Sequence, residues 1–307
     1  MPQASAVSPA KLPTRDGVGP SRLVLPPGTW SRVIDFLAHR FPTIAYEEIA
    51  ARMRHGDVLD EQGAKISPER QYEPHLKIFY YRSIVSETRI PFDEVILFQD
   101  DYLIAADKPH FLPVTPGGRY LQETLLVRLK RKCGIDTLAP MHRIDRETAG
   151  VVLFTLQPVT RGKYQELFAQ KAVAKRYQAI APFRADLKFP MTYRSQLVEA
   201  EHFMRMHEVD GEPNAETMIE LMESNDRFAR YRLTPATGKK HQLRVHMAAL
   251  GIPILNDQIY PHHLSKEQIE SHDSSKPLQL LAERIAFTDP VTGQARCFKS
   301  QFTLNAL

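Results

Sequence analysis

The sequence predicts an α+β protein, with a mixed, largely antiparallel central sheet and flanking helices, preceded by a small N-terminal α/β domain. The chain has 307 residues, 43% of them hydrophobic, which is enough for one large core and a smaller second one. Strand and helix patterns mix without the strict alternation of βαβ units. Helical spacing dominates near the N-terminus, whereas β-type patterns dominate from Glu94 onward.

These patterns divide the chain into four segments. Residues 1–24 are rich in Pro, Ala, Ser and Gly and hold few large apolar groups, so we expect a disordered arm. Residues 25–85 have the patterns of the small domain, and residues 86–94 those of a linker. Residues 95–307 form the large domain.

The small domain is predicted to contain two short helices and a strand. Thr29 can cap a first helix in which apolar residues recur from Trp30 to Leu37. A second helix repeats this spacing from Tyr46 to Met53 and stops at Gly56, and a strand follows at 76–81.

The large domain is predicted to begin with a hairpin around an acidic turn, because two apolar runs flank Asp100 and Asp101. Periodicity then predicts a series of helices and strands. The helices are Leu121–Cys133, Arg161–Ala169 and His241–Leu250, and the strands are Val151–Leu156, Lys175–Ile180 and Arg230–Leu233.

The basic residues cluster in the part of the chain that follows residue 98. The formal net charge is only +4, and acidic and basic residues balance over residues 1–98. Dense basic stretches follow at 128–132, 161–176 and 227–244. A charge run alone is often a solvated face, but clusters beside reactive residues favour the binding of RNA phosphates.

Several classes of protein and site are not expected. No apolar run approaches the roughly 20 residues of a membrane span, and residues 1–20 lack the order of a signal peptide, so we expect no membrane segment and a cytoplasmic location. Cys133 and Cys297 have no CxxC spacing, which argues against a disulfide or a zinc site. No metal is predicted at His262, His263 and His272, which lack acidic or thiolate partners at ligand spacing.

The most informative segment contains Asp145. This acid lies between Arg143 and Arg146, just before the aliphatic run 150–154, so we expect its carboxylate on a loop against the core. Adjacent guanidinium groups favour the ionised form, which can act as a nucleophile or stabilise an oxocarbenium-like centre on a sugar. Charge spacing alone, however, favours a structural Arg–Asp pair.

Three motifs together resemble the RluA family of RNA pseudouridine synthases. Residues 142–150, HRIDRETAG, are similar to that family's HRLDRxTSG signature. Residues 174–179 are similar to its K-x-Y-x-A strand, and residues 237–246 to its TGRxHQIRVH segment. Residues 251–260 follow its G-x-P-I then G-D-x-x-Y order. The departures are Ala149, Lys239, Asn256 and Leu281, at positions where the family usually has Ser, Arg, Gly and His.

The resemblance implies the pseudouridine synthase fold and a three-residue catalytic centre. Asp145 is then the carboxylate that attacks the target nucleotide, at the sugar C1′ or at the base. Tyr177 lies against the uracil ring, although by pattern alone it is an ordinary strand aromatic, and Arg244 pairs with Asp145. Arg143 enters the RNA helix when the base flips out. The other implied substrate-binding residues are Arg146, Thr148, Lys239, His241, Gln242 and Leu243.

The resemblance also implies the partner and the absence of a cofactor. The isomerisation breaks and remakes bonds on one base, so we expect no cofactor, and we expect a monomer that acts on rRNA or tRNA. Residues 25–85 loosely resemble the RNA-binding S4 module, on the helix pair, Arg52 and Arg54, although a packing domain without RNA contact is the alternative. A catalytically silent RNA-binding or ribosome-assembly protein, and an N-glycoside hydrolase, are the competing functions.

Overall fold

The computed structural model describes residues 12–82, 87–200, 205–261 and 275–305. The contacts within the chain divide it into two units. The smaller unit comprises Met1–Glu87 with Gly117–Gln122, and the larger unit comprises Thr88–Pro116 with Glu123–Leu307. Among the described residues, no helix has the length and apolar character to cross a membrane.

The smaller unit packs two helices against a three-stranded antiparallel sheet. Its core is formed by apolar side chains of both helices and of the central strand, such as Ile34, Met53 and Ile78. The sheet order is β1-β3-β2. Its elements are β1 (Ser21–Val24), α1 (Val33–Arg40), α2 (Tyr46–His55), β2 (Val58–Leu59) and β3 (Lys77–Tyr80).

Two predictions for this unit need correction. The arm expected over 1–24 is wrong for residues 21–24, which form β1 and pair with β3, while residues 1–11 lie outside the described part. The composition of the arm hid the apolar residues Leu23 and Val24, and Leu25, directly after the arm, is fully buried. Helix α1 is capped by Arg32 rather than Thr29, because Asp35 accepts the Arg32 backbone N–H. Gly56, at φ 91°, ends α2 as predicted.

The described residues of the larger unit form one mixed sheet of eleven strands, of which nine run in the order β10-β9-β11-β12-β8-β13-β7-β5-β4. Strand β14 pairs with β13, and β6 with β7. The strands are β4 (Val95–Gln99), β5 (Leu103–Lys108), β6 (Ala139–Pro140), β7 (Ala149–Thr155), β8 (Ala174–Pro182), β9 (Met191–Glu199), β10 (Met206–Val209), β11 (Ala215–Ser224), β12 (Phe228–Pro235), β13 (Leu280–Thr288) and β14 (Ala295–Lys299).

All neighbouring strands are antiparallel except β7 and β13, which are parallel. The predicted mixed, largely antiparallel sheet is therefore confirmed. In the described part of this unit, three helices accompany the sheet: α3 (Leu125–Cys133), α4 (Arg161–Ala169) and α5 (Gln242–Ala249). Helix α3 begins four residues later than predicted, because the Thr124 hydroxyl accepts the Val127 N–H and caps it there.

The boundary between the units lies between Glu87 and Thr88. The segment Gly117–Gln122, which the sequence analysis placed in the large domain, belongs to the smaller unit instead. The carboxylate of Glu87 accepts the backbone N–H groups of Leu121 and Gln122, each at 2.8 Å, and this binding explains the assignment.

The close approach of β7 and β13 fixes the position of the loop that precedes β7. Gly150 pairs with Ala282 at a backbone φ of +116°. A Cβ atom at Gly150 would lie 2.3 Å from the Ala282 carbonyl oxygen, so only glycine fits without movement of the backbone. The residues that carry the predicted chemistry, 142–148, lie directly before this contact.

Candidate active site

A cleft of about 940 Å³ in the larger unit brings the three motifs together. Its walls come from the loop before β7, from β8 with the turn that precedes it, and from the segment between β12 and α5. Asp145, Tyr177 and Arg244 all line this cleft, together with Leu243 and Leu280. The three residues predicted to form the catalytic centre therefore share one space, although 99 positions separate Asp145 from Arg244 along the chain.

Arg244 is the charged centre of the site and is surrounded by carboxylates. Its Nη1 lies 3.2 Å from Asp145 Oδ2 and 4.0 Å from a Glu147 oxygen. Its Nε and Nη2 donate to the two oxygens of Asp257 at 2.8 and 2.7 Å. Burial works against the charge of Arg244, but the hydrogen bonds with Asp257 and the nearby carboxylates outweigh burial and raise its pKa. The guanidinium is thus a permanent cation on α5.

Asp145 is more accessible than the buried pair of Arg244 and Asp257. Its side chain is 24% exposed, whereas those of Arg244 and Asp257 are each 1% exposed. His241 Nε2 lies 3.8 Å from Asp145 Oδ1. An accessible carboxylate with a buried cation behind it can meet a ligand in the cleft without losing its counter-ion.

The loop that carries Asp145 is held at its C-terminal end by two side chains from the end of β5, the buried Lys108 and the half-buried His110. The Lys108 ammonium donates to the carbonyl oxygens of Pro109, Leu112 and Arg146, at 2.7 to 3.0 Å. Burial lowers the pKa of Lys108 to about 7, although Glu147 and Asp145 oppose this. His110 Nδ1 donates to the Glu147 carbonyl oxygen.

His142 holds the start of the same loop. Its Nε2 accepts the Leu153 N–H at 3.2 Å, in place of a backbone carbonyl, at the point where β6 stops pairing with β7. The ring stacks on Phe168 with centroids 5.0 Å apart. Burial, assisted by Lys175, lowers the pKa of His142 to about 3. His142 is therefore a neutral structural acceptor at physiological pH.

Tyr177 lines the cleft from β8, with its phenol near Asp145. Burial and the charge of Asp145 both raise the pKa of Tyr177, so its hydroxyl stays protonated. An aromatic face and a neutral donor beside a carboxylate suit a planar, uncharged heterocycle.

Comparison with known proteins identifies the family. The model of the RNA pseudouridylate synthase family matches residues 102–249. The chain is 31% identical to the dual-specificity RNA pseudouridine synthase RluA of Haemophilus influenzae, over 67% of this chain and 92% of that protein. The chain belongs to the RluA family of RNA pseudouridine synthases. The predicted enzyme class, an isomerase of uridine in RNA, is confirmed by this membership.

Further relatives agree with this assignment. The RluA protein of Escherichia coli strain K12 is 31% identical over 67% of this chain and 92% of its own length. A solved human structure, RNA pseudouridylate synthase domain containing 4, superposes with a TM-score of 0.52 at 27% identity, over 68% of this chain and 88% of that one. The predicted pseudouridine synthase fold is thereby confirmed.

The structure of this synthase separates the predicted substrate-binding residues into accessible and enclosed ones. Arg143 and Lys239 are exposed and line the cleft. In the described part of the chain, the Arg143 guanidinium has no hydrogen bond or ion pair. Leu243 is 7% exposed and belongs both to the cleft wall and to the core below it. These three positions present side chains that a ligand can reach.

The other four predicted positions are held by the protein itself. Arg146 Nε donates to Glu147 at 2.8 Å, and the buried Thr148 donates its N–H to the Asp145 carbonyl. Gln242 is 4% exposed, and its amide binds Thr237, Lys239, Glu216 and Thr217. His241 caps α5 at φ 53°, with Nδ1 3.0 Å from the Tyr260 hydroxyl. Burial lowers the pKa of His241.

Three residues of the site were not singled out from the sequence. Lys108 is the last residue of β5, and a lysine at the end of an apolar strand is expected at the surface. Glu147 occupies the variable position of the signature. Its burial alone would raise its pKa, but Arg146 and Arg244 lower it to about 2. Asp257 was noted only as part of a motif, without a role. Their common signal is a charged residue beside a buried segment, which is too general to identify them.

The described ranges contain no group of three or more His, Cys, Asp or Glu side chains that could hold an ion. The histidines considered in the sequence, His262, His263 and His272, lie outside the described residues.

Proposed function

We propose that this synthase isomerises specific uridines of folded rRNA or tRNA to pseudouridine, with Asp145 as the attacking carboxylate. The observation that carries the proposal is the pairing of an accessible Asp145 with a fully buried Arg244 in a cleft that Tyr177 also lines. Relatives named as acting on tRNA, such as tRNA pseudouridine synthase C of Pasteurella multocida, and dual-specificity relatives support this class of substrate.

The proposed reaction needs no oxidant, reductant or added group. Asp145 attacks the target nucleotide, at C1′ or at the base, and the bond between N1 and C1′ breaks. The uracil turns and C5 bonds to C1′, while the bond to Asp145 breaks and its electron pair returns to the carboxylate. The proton lost from C5 is balanced by one gained at N1. The Asp145 carboxylate supplies the electron pair for the attack, and Arg244 compensates its charge before the bond forms and after it breaks. The enzyme on this proposal acts without a small-molecule cofactor.

The target base must leave its stack before it can reach Asp145. Arg143 is suited to fill the vacated space, because it lies two residues before Asp145, is exposed and holds no partner in the described part of the chain. Its planar guanidinium can stack on the neighbouring bases. The protonated phenol of Tyr177 suits contact with the flipped uracil by stacking or hydrogen bonding.

The rest of the RNA is expected to follow the basic rim of the cleft. Lys171, Lys239 and Lys240 are exposed there, while Lys175 is partly enclosed and donates to the Thr237 carbonyl at 3.2 Å. These cations suit phosphate groups on both sides of the target nucleotide. We place this activity in the cytoplasm, where rRNA and tRNA are found, and expect a monomer.

The smaller unit is proposed to add RNA contacts of its own, as the S4-like resemblance implies. Of the two arginines on α2, Arg52 is occupied by the Tyr81 carbonyl at 2.6 Å and by Glu48, whereas Arg54 is exposed. Arg54 is therefore the residue of this helix that can meet a phosphate. Arg54→Ala should weaken RNA binding without a change in the single-turnover rate.

The test of the main proposal is release of tritium from RNA labelled at uridine C5. Asp145→Asn should release none while it binds the RNA as the wild type does, and Asp101→Asn, an exposed acid in the turn between β4 and β5, should be fully active. Turnover by Asp145→Asn would remove Asp145 from this role. Binding without turnover by the wild type on all cellular RNAs would favour the silent RNA-binding alternative, and release of free uracil would indicate a hydrolase.

A further inference from the structure

The contact between Arg244 and Asp145 uses only one of the three guanidinium nitrogens. The other two, Nε and Nη2, both bind the carboxylate of Asp257, in the two-pronged geometry that fixes the plane of a guanidinium group. With those two nitrogens occupied, Nη1 is the corner directed at Asp145, at 3.2 Å. The direction in which Arg244 points its Nη1 N–H groups therefore depends on Asp257.

Asp257 is itself held in place by the turn that contains it. Its Oδ1 also accepts the backbone N–H groups of Ile259 and Tyr260, at 2.8 and 3.0 Å. The turn is entered through Asn256 at φ +64°, whose side chain donates to the Pro277 carbonyl at 3.0 Å. Asp257 is 1% exposed, so it cannot rotate toward solvent. The Asp257 carboxylate is therefore fixed in position and restrains the flexible side chain of Arg244.

We propose that Asp257 is a positioning residue for the reaction, acting through Arg244 to aim the Asp145 carboxylate. Asp257 does not line the cleft and has no access to a substrate there. Without Asp257, the Arg244 guanidinium could rotate about its side-chain bonds together with Asp145. The attacking Asp145 oxygen would then have no fixed position. A displacement of about 1 Å at a reacting atom can cost about 100-fold in rate. This inference rests on the proposed function.

The informative variant is Asp257→Asn, which preserves size and removes the second charged acceptor. The amide oxygen can still receive the turn's backbone N–H groups, but it cannot hold both Arg244 nitrogens as well. We expect the single-turnover rate on a labelled RNA to fall by about 100-fold. The Kd for that RNA should change by less than about twofold, because Asp257 does not line the cleft.

Asp289→Asn is the matched control. Asp289 is a fully buried carboxylate of the same unit that also binds an arginine, Arg296 Nε at 3.4 Å, and two backbone N–H groups of the following turn, those of Val291 and Thr292. It lies outside the cleft. A purely structural effect would therefore appear in both variants, as a lower folded fraction by circular dichroism. After correction for the folded fraction, only Asp257→Asn should be slow.

A second measurement tests whether Asp257 acts through Arg244. In an Arg244→Lys background the ammonium cannot be oriented by a two-pronged contact. Adding Asp257→Asn there should slow the reaction by less than about twofold, against about 100-fold in the wild-type background. Equal losses in both backgrounds, or a wild-type rate for folded Asp257→Asn, would overturn the inference. Failure of the proposed function differs from both outcomes, since the wild type itself would then release no tritium.

Discussion

Gly150→Ala is the substitution for which the structure predicts the largest effect from a single added methyl group. The residue has φ +116°, a conformation that costs an L-residue roughly 1 to 2 kcal/mol. Its Cβ would also lie 2.3 Å from the Ala282 carbonyl oxygen, and this contact is backbone that can relieve the clash only by moving β13. Overpacking of this kind adds about 1 to 3 kcal/mol. We expect a total loss of about 4 kcal/mol in the free energy of unfolding.

Two other glycines separate the sources of this loss. Gly134, which ends α3, has φ +68° but open space around its Cβ position, so Gly134→Ala carries only the backbone term, about 1 kcal/mol. Gly162 in α4 has neither constraint, and Gly162→Ala should stabilise the helix by about 0.5 kcal/mol. From most to least stable, the expected order is Gly162→Ala, wild type, Gly134→Ala, Gly150→Ala.

Urea unfolding followed by far-ultraviolet circular dichroism measures this series. The single tryptophan, Trp30, lies in the smaller unit, so its fluorescence provides a reference transition that should shift less than the circular dichroism signal. Gly150→Ala should also lose RNA isomerisation, because the loop that carries Asp145 ends at this strand. A loss of stability no larger than that of Gly134→Ala would refute the reasoning from the close approach of β7 and β13.

Three further predictions concern the site. Arg146 and Arg244 hold the pKa of Glu147 at about 2, below its unfolded value of about 4.5. Ionised Glu147 therefore contributes to the free energy of unfolding above pH 4.5, and this contribution is lost as the pH falls toward 2. In acid unfolding followed by circular dichroism, Glu147→Gln should lack this part of the pH dependence of stability. Arg143→Ala should slow turnover of folded RNA by about 100-fold but that of RNA with a mismatched target uridine far less, in single-turnover assays. Gln242→Leu leaves several buried hydrogen-bonding groups unpaired, so the melting temperature should fall and the free energy of unfolding should decrease by roughly 3 kcal/mol.

Much of the fold was predictable because local patterns and tertiary packing agree. Helix α4 has the bounds that its spacing predicts, and Gly56 ends α2 in a left-handed conformation. Strands β9 to β11 were not predicted. On β11 the residues Met218, Leu221 and Met222 are all 38 to 40% exposed, so apolar side chains occupy the outer face and break the period-2 alternation on which strand prediction depends.

Motif order was enough to select the three residues of the proposed catalytic centre, whereas it did not indicate the residues that support them. Asp145, Tyr177 and Arg244 converge on one cleft, as the resemblance implied. The residues behind them act through side-chain contacts that no local pattern records: Lys108 reaches the Arg146 carbonyl 38 positions away, and Asp257 reaches Arg244 around a turn. Such contacts exist only after the sheet has formed.

The smaller unit is interrupted in sequence, and this has a consequence for its synthesis. Residues Met1–Glu87 leave the ribosome before Gly117–Gln122, which carry the N–H groups that bind the Glu87 carboxylate. During translation the unit is therefore completed only after part of the next unit, including β4 and β5, has emerged. A chain truncated after residue 87 would keep the three-stranded sheet but lose the hydrogen bonds of Glu87 with Leu121 and Gln122. Producing the smaller unit by itself would therefore require circular permutation, or a graft of residues 117–122, rather than truncation at one position.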